Sequence, residues 1–190
     1  MKIEEAQSTI REMLPDKRYR HSLGVSETAG KLAARFGADV DKARLAGMLH
    51  DIVKYFPDKK LKQLIEQHPN ISNEYLSYSN NLWHAPAGAA YVEQTLGVKD
   101  RDILNAIIYH TTGKKDMTRL EKIIFLADYI EPGRDFPGVE DVRKAAENSL
   151  DEAVFEELWR TITHLLDQHQ RVYPDTFFAY NDLVGSQNNQ

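Results

Sequence analysis

The sequence predicts an all-α fold, a single-domain helical bundle. Apolar residues recur three and four positions apart along most of the 190-residue chain, and capping residues divide this pattern into about eight to ten helices. No segment alternates apolar and polar residues as a half-buried strand does. Since no repeat or long linker interrupts the chain, we predict one domain over residues 1–184 and a disordered tail over residues 185–190.

The first half of the chain contains five predicted helices with clear stops and starts. A proline ends the first helix, and Gly37 suits the C-terminal cap of the second. Asp39 or Asp41 can cap the third helix. Pro86 is best tolerated in the first turn of the fifth, which places His84 at or just before its start. These helices are predicted over residues 3–14, 16–36, about 40–53, from 58 onward, and about 84–96.

The second half contains four more predicted helices. Asp100 caps a helix that ends near His110, and Thr118 with Glu121 forms a capping box for the next helix. Two amphipathic stretches follow and complete the bundle. The predicted ranges are 100–110, 118–131, about 139–149 and about 151–171, followed by a terminal loop at Arg171–Asp175.

The composition excludes several classes of protein. Cysteine is absent, so neither a disulfide nor a thiolate metal ligand exists, which fits a cytoplasmic location. No apolar run approaches the roughly 20 residues that span a bilayer, and the N-terminus carries no signal-peptide core. The formal net charge of -5 argues against a broad nucleic-acid-binding face, although a local cluster of Lys and Arg can hold a small anion. We therefore expect neither a membrane nor a nucleic acid as a partner.

Several ionisable residues stand where the helical pattern expects core residues. An imidazole or an ionised carboxylate in such a place costs several kcal/mol unless it is paired. One residue of this kind is explained by a cap, or by a histidine bonded to a carbonyl. Five such positions on five helices can also meet at one metal ion, as in many helix bundles, and spacing alone leaves both interpretations open. The residues are His21, the pair His50-Asp51, His84, His110 and Asp128.

The order of these residues resembles a known family. His21, the pair His50-Asp51, and Asp128 follow one another as in the signature of the HD superfamily of metal-dependent phosphohydrolases. The surrounding sequence is similar to the YqeK family within it, over nearly the whole chain from about Ile3 to Tyr180. The His-Asp pair alone is a weak signal, but five matching blocks in the right order are a strong one. The blocks are Arg18–Val25, Lys42–Lys54, Leu82–Ala85, Ala106–Gly113 and Leu126–Arg134.

The resemblance implies an activity and a cofactor. Enzymes of this family are symmetrical bis(5'-nucleosyl)-tetraphosphatases, which cleave diadenosine tetraphosphate in the middle to give two ADP, and their usual metal is iron. His84 and His110 fall where the superfamily places either a second metal or contacts to phosphate. By resemblance, the metal ligands are His21, His50, Asp51 and Asp128.

The same side chains suit this chemistry on general grounds. Two imidazoles and two carboxylates leave open positions on a six-coordinate metal for a water and a phosphate oxygen, and the metal lowers the pKa of that water. Nitrogen and oxygen ligands fit Fe, Mn, Co, Ni or Zn, so the identity of the metal stays open. Because ADP is a weak base as a leaving group, neutralising about four negative phosphate charges is the larger task.

Cations near the ligands are the candidates for that task. Arg18 precedes His21 by one turn and Lys54 follows the His-Asp pair by one turn, which favours contacts with phosphate over a position in solvent. Asp51 is expected both to bind metal and to orient the attacking water. The predicted catalytic residues are Asp51, Lys54, His84 and His110. The predicted substrate contacts are Arg18, His21, Lys54, His84, His110, Thr111, Asp128, Arg134, Arg171, Tyr173 and Asp175.

The last three of these contacts come from the predicted C-terminal loop. Tyr173 can stack on a base, and Asp175 can accept hydrogen bonds from sugar hydroxyls or from the adenine amine. The other histidines lack an apolar context, so they are predicted at the surface or on a helix face. They are His68, His164 and His169.

Two alternative functions stay open. One is an HD phosphohydrolase acting on another nucleotide, which product analysis distinguishes. The other is a non-catalytic, metal-stabilised module that binds nucleotides, which metal content combined with a turnover assay distinguishes. Aromatic residues predicted to be exposed are compatible with a homodimer, but the sequence does not show one. They include Tyr75, Tyr78 and Trp83.

Overall fold

The computed structural model describes residues 1–187, which form a bundle of ten α-helices and two short 3-10 helices. No strand occurs among these residues, so the predicted all-α fold is confirmed. The same residues include no helix that is both long and apolar enough to cross a bilayer. The helices are α1 (Ile3–Met13), α2 (Asp16–Phe36), α3 (Val40–Leu49), α4 (Asp58–Glu66), α5 (His84–Gln94), α6 (Arg101–Tyr109), α7 (Arg119–Ile130), α8 (Val139–Asn148), α9 (Leu150–Asp167) and α10 (Pro174–Gln187), and the 3-10 helices cover Asn73–Ser77 and Asn80–Leu82.

Most helix boundaries lie where the capping residues place them. The side chains of Asp39 and Asp100 accept hydrogen bonds from backbone amides in the first turns of α3 and α6. Thr118 and Glu121 form the predicted capping box of α7. Gly37 ends α2 in the left-handed conformation, with φ 71°, which glycine adopts at little cost.

The centre of the bundle is formed by α2, α3, α6 and α7. α2 packs along α3 and α7, while α3 also contacts α6. Their inward faces supply large, fully buried apolar side chains such as Leu49, Ile107 and Ile124. Gly47 allows α2 and α3 to approach closely, because a Cβ there would lie 3.0 Å from the Cα of Ser26. The outer helices α8 and α9 pack on each other and on α7, and α10 packs on α9.

Some boundaries differ from the prediction. α3 ends at Leu49 instead of continuing to residue 53, so His50 and Asp51 lie at its C-terminal end. α9 ends at Asp167 rather than near residue 171. The predicted terminal loop is wrong in its last residues, because Pro174 begins α10, where its fixed φ suits a first helical turn. α10 also continues through the first residues of the predicted tail at 185–190, of which residues 188–190 lie outside the described residues.

Two predictions of surface exposure are wrong. Tyr75 is only 3% exposed, because its ring stacks on Tyr173 with centroids 4.6 Å apart. His68 is only 7% exposed, and its Nε2 lies 2.8 Å from the carboxylate of Glu93. Trp83 is partly buried and donates a hydrogen bond to the carbonyl of Tyr75. These aromatic residues are therefore less exposed than predicted and give little support to a homodimer, which stays a prediction.

Candidate metal centre

Four helix ends and the second turn of α2 converge in the interior of the bundle. The C-terminal ends of α3, α6 and α7, the first residue of α5, and one residue of α2 each present a polar side chain there. A helix end allows two neighbouring residues, His50 and Asp51, to face one point, which the 100° step between residues prevents inside a helix. The converging side chains are His21, His50, Asp51, His84, His110 and Asp128.

Four of these residues surround one point at the separations expected of metal ligands. The Nε2 of His21 lies 3.0 Å from Oδ1 of Asp128 and 3.8 Å from Oδ2 of Asp51. The Nε2 of His50 lies 3.2 Å from Oδ2 of Asp51 and 3.8 Å from Oδ1 of Asp128. Because metal–ligand bonds are about 2.0–2.2 Å long, neighbouring ligands of one ion lie about 3 Å apart. The four residues predicted as ligands therefore lie together.

The other oxygen of Asp51 faces a second pair of histidines. Its Oδ1 lies 3.1 Å from Nε2 of His84 and 3.8 Å from Nε2 of His110. The two Nε2 atoms are 3.2 Å apart. Within the described residues, three overlapping groups of ligand atoms have the spacing to hold a metal ion, and Asp51 belongs to two of them. The arrangement accommodates one ion or two.

The imidazole rings are oriented by bonds at their other nitrogens. The Nδ1 of His50 lies 2.7 Å from the carbonyl of Gly47, and the Nδ1 of His110 lies 2.7 Å from the carbonyl of Ile107. Since a carbonyl only accepts hydrogen bonds, the proton of each neutral ring sits on Nδ1. The lone pair of each Nε2 consequently points into the cluster, as a metal requires.

Buried atoms without hydrogen bonds support a bound cation. The Nε2 atoms of His21 and His50 and the Oδ1 of Asp51 are buried and make no hydrogen bond within the described residues. Leaving such atoms unpaired costs free energy, and a cation removes that cost for lone pairs that all point inward. Neutral imidazole and carboxylate donors also match the preferences of divalent transition metals. These residues therefore fit a metal ion.

The electrostatics of the cluster keep its donors available. Burial opposes the charged form of Asp51, but His50 and His84 beside it hold its pKa well below the usual range. Asp128 behaves in the same way, because burial is outweighed by the adjacent His21 and by nearby positive charges, which hold its pKa well below the usual range. Burial, followed by repulsion from the neighbouring imidazoles, lowers the pKa of His110 to about 3. The carboxylates are thus ionised and His110 is neutral, which are the ligand forms.

Three cations surround the cluster, as the sequence predicted. Arg18 donates from Nη1 to Oδ2 of Asp51 at 2.7 Å. Arg134 pairs with the carboxylate of Asp128 and donates from Nε to its backbone carbonyl at 2.8 Å. The Nζ of Lys54 lies 3.1 Å from both ring nitrogens of His84. Burial lowers the pKa of Lys54, and the charge of Asp51 opposes this shift.

Glu131 is part of the site, although the sequence indicated it only as the end of a helix. Its Oε1 lies 3.0 Å from Nδ1 of His21, and only 5% of the residue is exposed. Its Oε2 accepts a hydrogen bond from the backbone amide of Gly133 at 2.6 Å. A signal was present in the sequence, since Glu131 follows Asp128 by three residues and precedes a Pro-Gly turn.

The structure buries one of the three C-terminal candidates and engages the other two in contacts within the chain. The ring of Tyr173 is 4% exposed and stacked on Tyr75, so the predicted stacking on a base is not available in this arrangement. Arg171 is exposed and donates a hydrogen bond to the carbonyl of Ser77. Asp175 lines a cavity of about 190 Å³ together with these aromatic rings.

Thr111, the remaining candidate, follows His110 directly. Its hydroxyl is buried and makes no hydrogen bond within the part of the chain that the structure describes. A buried hydroxyl in this state has both a donor and acceptors to offer. It is therefore a buried polar group without a partner, on the residue that follows a member of the cluster in the sequence.

The fold and the cluster define a class of protein, the HD-type metal-dependent phosphohydrolases. This class is an all-α domain in which histidines and aspartates from several helices meet at a buried point. The family model described as HD domain matches residues 18–133, which extend from Arg18 to the turn after α7. That range contains every residue of the cluster and Glu131.

Curated relatives show to which family within the HD class the chain belongs. The chain is 47% identical over 97% of its length to the symmetrical bis(5'-nucleosyl)-tetraphosphatase of Bacillus subtilis, covering 98% of that protein. It is 46% identical to the enzyme of the same name from Staphylococcus aureus, over 95% of this chain and 94% of that one. The chain therefore belongs to the HD-domain family and, within it, to the YqeK family of symmetrical bis(5'-nucleosyl)-tetraphosphatases.

A solved structure agrees with the assignment to the HD class and with the fold. The chain is similar to the crystal structure of a predicted HD superfamily hydrolase involved in NAD metabolism from Clostridium acetobutylicum. The TM-score is 0.91 at 38% sequence identity, and the match covers 96% of this chain and 97% of that one. The helical arrangement described above is therefore shared at nearly full length, including the helices α8–α10 that follow the HD region.

Proposed function

We propose that this protein hydrolyses dinucleoside tetraphosphates symmetrically, converting diadenosine tetraphosphate to two ADP. The observation that carries the proposal is the buried set of unbonded donor atoms from His21, His50 and Asp51, with Asp128 beside them. Full-length relatives that bear the name of this activity support the choice of substrate. Both predicted alternatives, an HD phosphohydrolase acting on another nucleotide and a metal-stabilised binding module, would contain the same donor atoms, so the names of these relatives are what favours this activity.

The metal would be held by His21, His50, Asp51 and Asp128. When bound, such an ion supplies Lewis acidity and lowers the pKa of a coordinated water. His84 and His110, with the second oxygen of Asp51, would either hold a second ion or contact phosphate. We propose iron because of the family resemblance, while the nitrogen and oxygen donors fit Mn, Co, Ni or Zn equally well.

The chain's own cations would neutralise the polyphosphate. The guanidinium of Arg18 pairs with Asp51, and that of Arg134 pairs with Asp128. Each guanidinium retains further N–H groups that can donate to phosphate oxygens. Lys54 adds a third positive charge on the side of His84. The free hydroxyl of Thr111 can donate to a phosphate oxygen in the same region. With ADP as a weakly basic leaving group, this charge neutralisation is more important than a strong general acid.

One nucleoside of the substrate has a candidate contact at the C-terminal segment. Asp175 lines a cavity of about 190 Å³ next to Tyr109, the residue before His110. We propose that its carboxylate accepts hydrogen bonds from the sugar or the adenine amine. Burial raises the pKa of Asp175. Hydrogen-bond donors from a nucleoside bound in this cavity would oppose that shift and favour the ionised carboxylate. Arg171 and Tyr173 would support this segment through their contacts to Ser77 and Tyr75.

The proposal is tested by product analysis. Protein purified without oxygen and analysed for metal is incubated with diadenosine tetraphosphate in water enriched in oxygen-18, and the nucleotides are separated by chromatography. We expect ADP as the only product, with one labelled oxygen in every second molecule. AMP with ATP would indicate asymmetric cleavage, and an absence of turnover by metal-loaded protein would favour a binding module; either result would overturn the proposal. The cytoplasmic location and the homodimer are not addressed by this experiment and stay predictions.

A further inference from the structure

Glu131 contacts the proposed metal ligand His21 at Nδ1, the ring nitrogen that faces away from the cluster. Its Oε1 lies 3.0 Å from Nδ1 of His21, whereas the Nε2 of His21 faces Asp128 and Asp51. Both residues of this contact are buried, with 5% of Glu131 and 9% of His21 exposed. A carboxylate only accepts hydrogen bonds, so a neutral His21 must carry its proton on Nδ1. The nitrogen left without a proton is then Nε2.

The carboxylate of Glu131 is fixed on its other side as well. The backbone amide of Gly133 donates to Oε2 at 2.6 Å. The carboxylate also lies directly against α2, because a Cβ on Gly24 would be only 2.6 Å from Oε2. Glycine at this position in the middle of a helix costs about 1 kcal/mol relative to alanine, so the close approach of Glu131 explains its presence.

The turn that carries Glu131 is held by α8, which lies beyond the HD-matching region. Arg143 donates to the backbone carbonyls of Ile130, Glu131 and Arg134, at 3.0, 2.9 and 2.9 Å. These three bonds fix the turn that follows α7. The position of the Glu131 carboxylate is therefore set by backbone and side-chain contacts, and it does not depend on a bound metal.

We propose that Glu131 is a positioning residue that selects the His21 tautomer able to bind metal. This inference rests on the proposed metal site, and it adds a residue that touches neither the ion nor the substrate. A partner of this kind on a ligand histidine fixes the ring and raises its basicity, and its loss usually costs about 10–100-fold in metal affinity.

The substitution Glu131→Gln gives an unusually specific test. A glutamine offers one acceptor and one donor, whereas the native carboxylate accepts from both His21 and Gly133. The amide of Gly133 can only donate, so it takes the glutamine oxygen. The glutamine NH2 then faces Nδ1 of His21, which must become the acceptor. The proton of His21 moves to Nε2, the atom that a metal needs.

Two measurements on the full chain follow from this argument. The first is the affinity for Zn²⁺ by competition with a chelator. The second is the His21 tautomer, read from long-range ¹H–¹⁵N NMR after the metal is removed and the fold is checked by circular dichroism. We expect Glu131→Gln to weaken Zn²⁺ binding about 10–100-fold and to shift His21 from the Nδ1–H to the Nε2–H form. Glu131→Ala, which removes the acceptor without presenting a donor, should weaken binding less than Glu131→Gln.

A matched control is available in Glu121, which is also buried but belongs to the capping box of α7. Glu121→Gln should change neither the Zn²⁺ affinity nor the tautomer. Unchanged affinity in Glu131→Gln, or an Nδ1–H tautomer there, would overturn the inference. If native protein bound no Zn²⁺, the proposed metal site would fail, whereas the tautomer comparison would still test Glu131 by itself.

Discussion

Two buried histidine sites in this molecule use their ring nitrogens differently. His50, in the cluster, is 0% exposed; its Nδ1 is bonded to a carbonyl and its Nε2 has no hydrogen bond in the described chain. His68, between α4 and α5, is 7% exposed, and both of its nitrogens are engaged, Nε2 by Glu93 and Nδ1 by the amide of Asn70. Burial is therefore common to both sites. A free, inward-facing nitrogen distinguishes the proposed metal ligand from the structural histidine.

The largest effect is expected from Asp51→Ala, because this carboxylate faces both histidine pairs. Metal stabilisation of the transition state is worth several kcal/mol, so its loss should reduce turnover by on the order of 10³-fold or more. Metal content should fall as well, while circular dichroism should show a retained helical fold. Turnover equal to that of the native protein would show that Asp51 is not part of the active site.

Lys54→Ala is expected to separate substrate binding from metal binding. Its ammonium contacts His84 but no carboxylate of the cluster within hydrogen-bond distance. Losing one charged hydrogen bond to phosphate, worth about 1.5–3 kcal/mol, should lower kcat/KM by roughly 10–100-fold. Metal analysis should show an unchanged content. A loss of metal in this variant would instead mean that Lys54 supports the ligands.

His68→Ala should affect stability and leave the chemistry intact. Removing the ring breaks its bonds to Glu93 and Asn70 at the corner between α4 and α5. A loss of about 1–3 kcal/mol is expected for a buried polar contact of this kind, measured by chemical denaturation. Turnover per folded molecule and metal content should match the native protein. A metal-depleted variant would contradict the distinction between the two histidine sites.

Glu157 tests whether any unbonded buried oxygen marks a ligand. Its Oε2 makes no hydrogen bond within residues 1–187, yet it belongs to none of the groups spaced to hold a metal. Burial, and then the charge of Asp128, raise the pKa of Glu157 well above its usual value. The folded state therefore retains this proton after the unfolded chain has lost it, and the resulting stability is lost as pH rises from about 4.3, the unfolded value, through the folded pKa.

Glu157→Gln should remove this pH-dependent loss of stability. We expect its Tm to match the native protein near pH 4 and to exceed it at pH 8, by about 2–4 °C for each kcal/mol relieved. The metal content should not change. A variant that lost its metal would place Glu157 inside the site, and a Tm difference independent of pH would contradict the raised pKa.

The side chains of the cluster and most of the fold could be predicted because their signals are local. Capping residues such as Asp39 and Thr118 determine where helices begin, whatever packs against them. Asp128 stood out because a carboxylate inside an apolar run needs a partner. The resemblance to a family then predicted that these side chains share one metal site, which spacing alone could not do.

The errors have the opposite cause, because they depend on residues distant in the chain. Glu131 contacts His21, which is 110 positions away, and the missing side chains of Gly24 and Gly133 make room for its carboxylate. The burial of Tyr75 comes from Tyr173. Tyr173 itself precedes α10, whose start at Pro174 was predicted as a loop. None of these contacts leaves a periodic pattern in the sequence.

Metal content tests the central claim most directly when the two histidine sites are compared. Native protein, His50→Ala and His68→Ala are purified side by side without oxygen, and the metal in each is measured by mass spectrometry. The account predicts about one or two ions per chain in the native protein and in His68→Ala, and at least a tenfold loss in His50→Ala. An unchanged metal content in His50→Ala would contradict it.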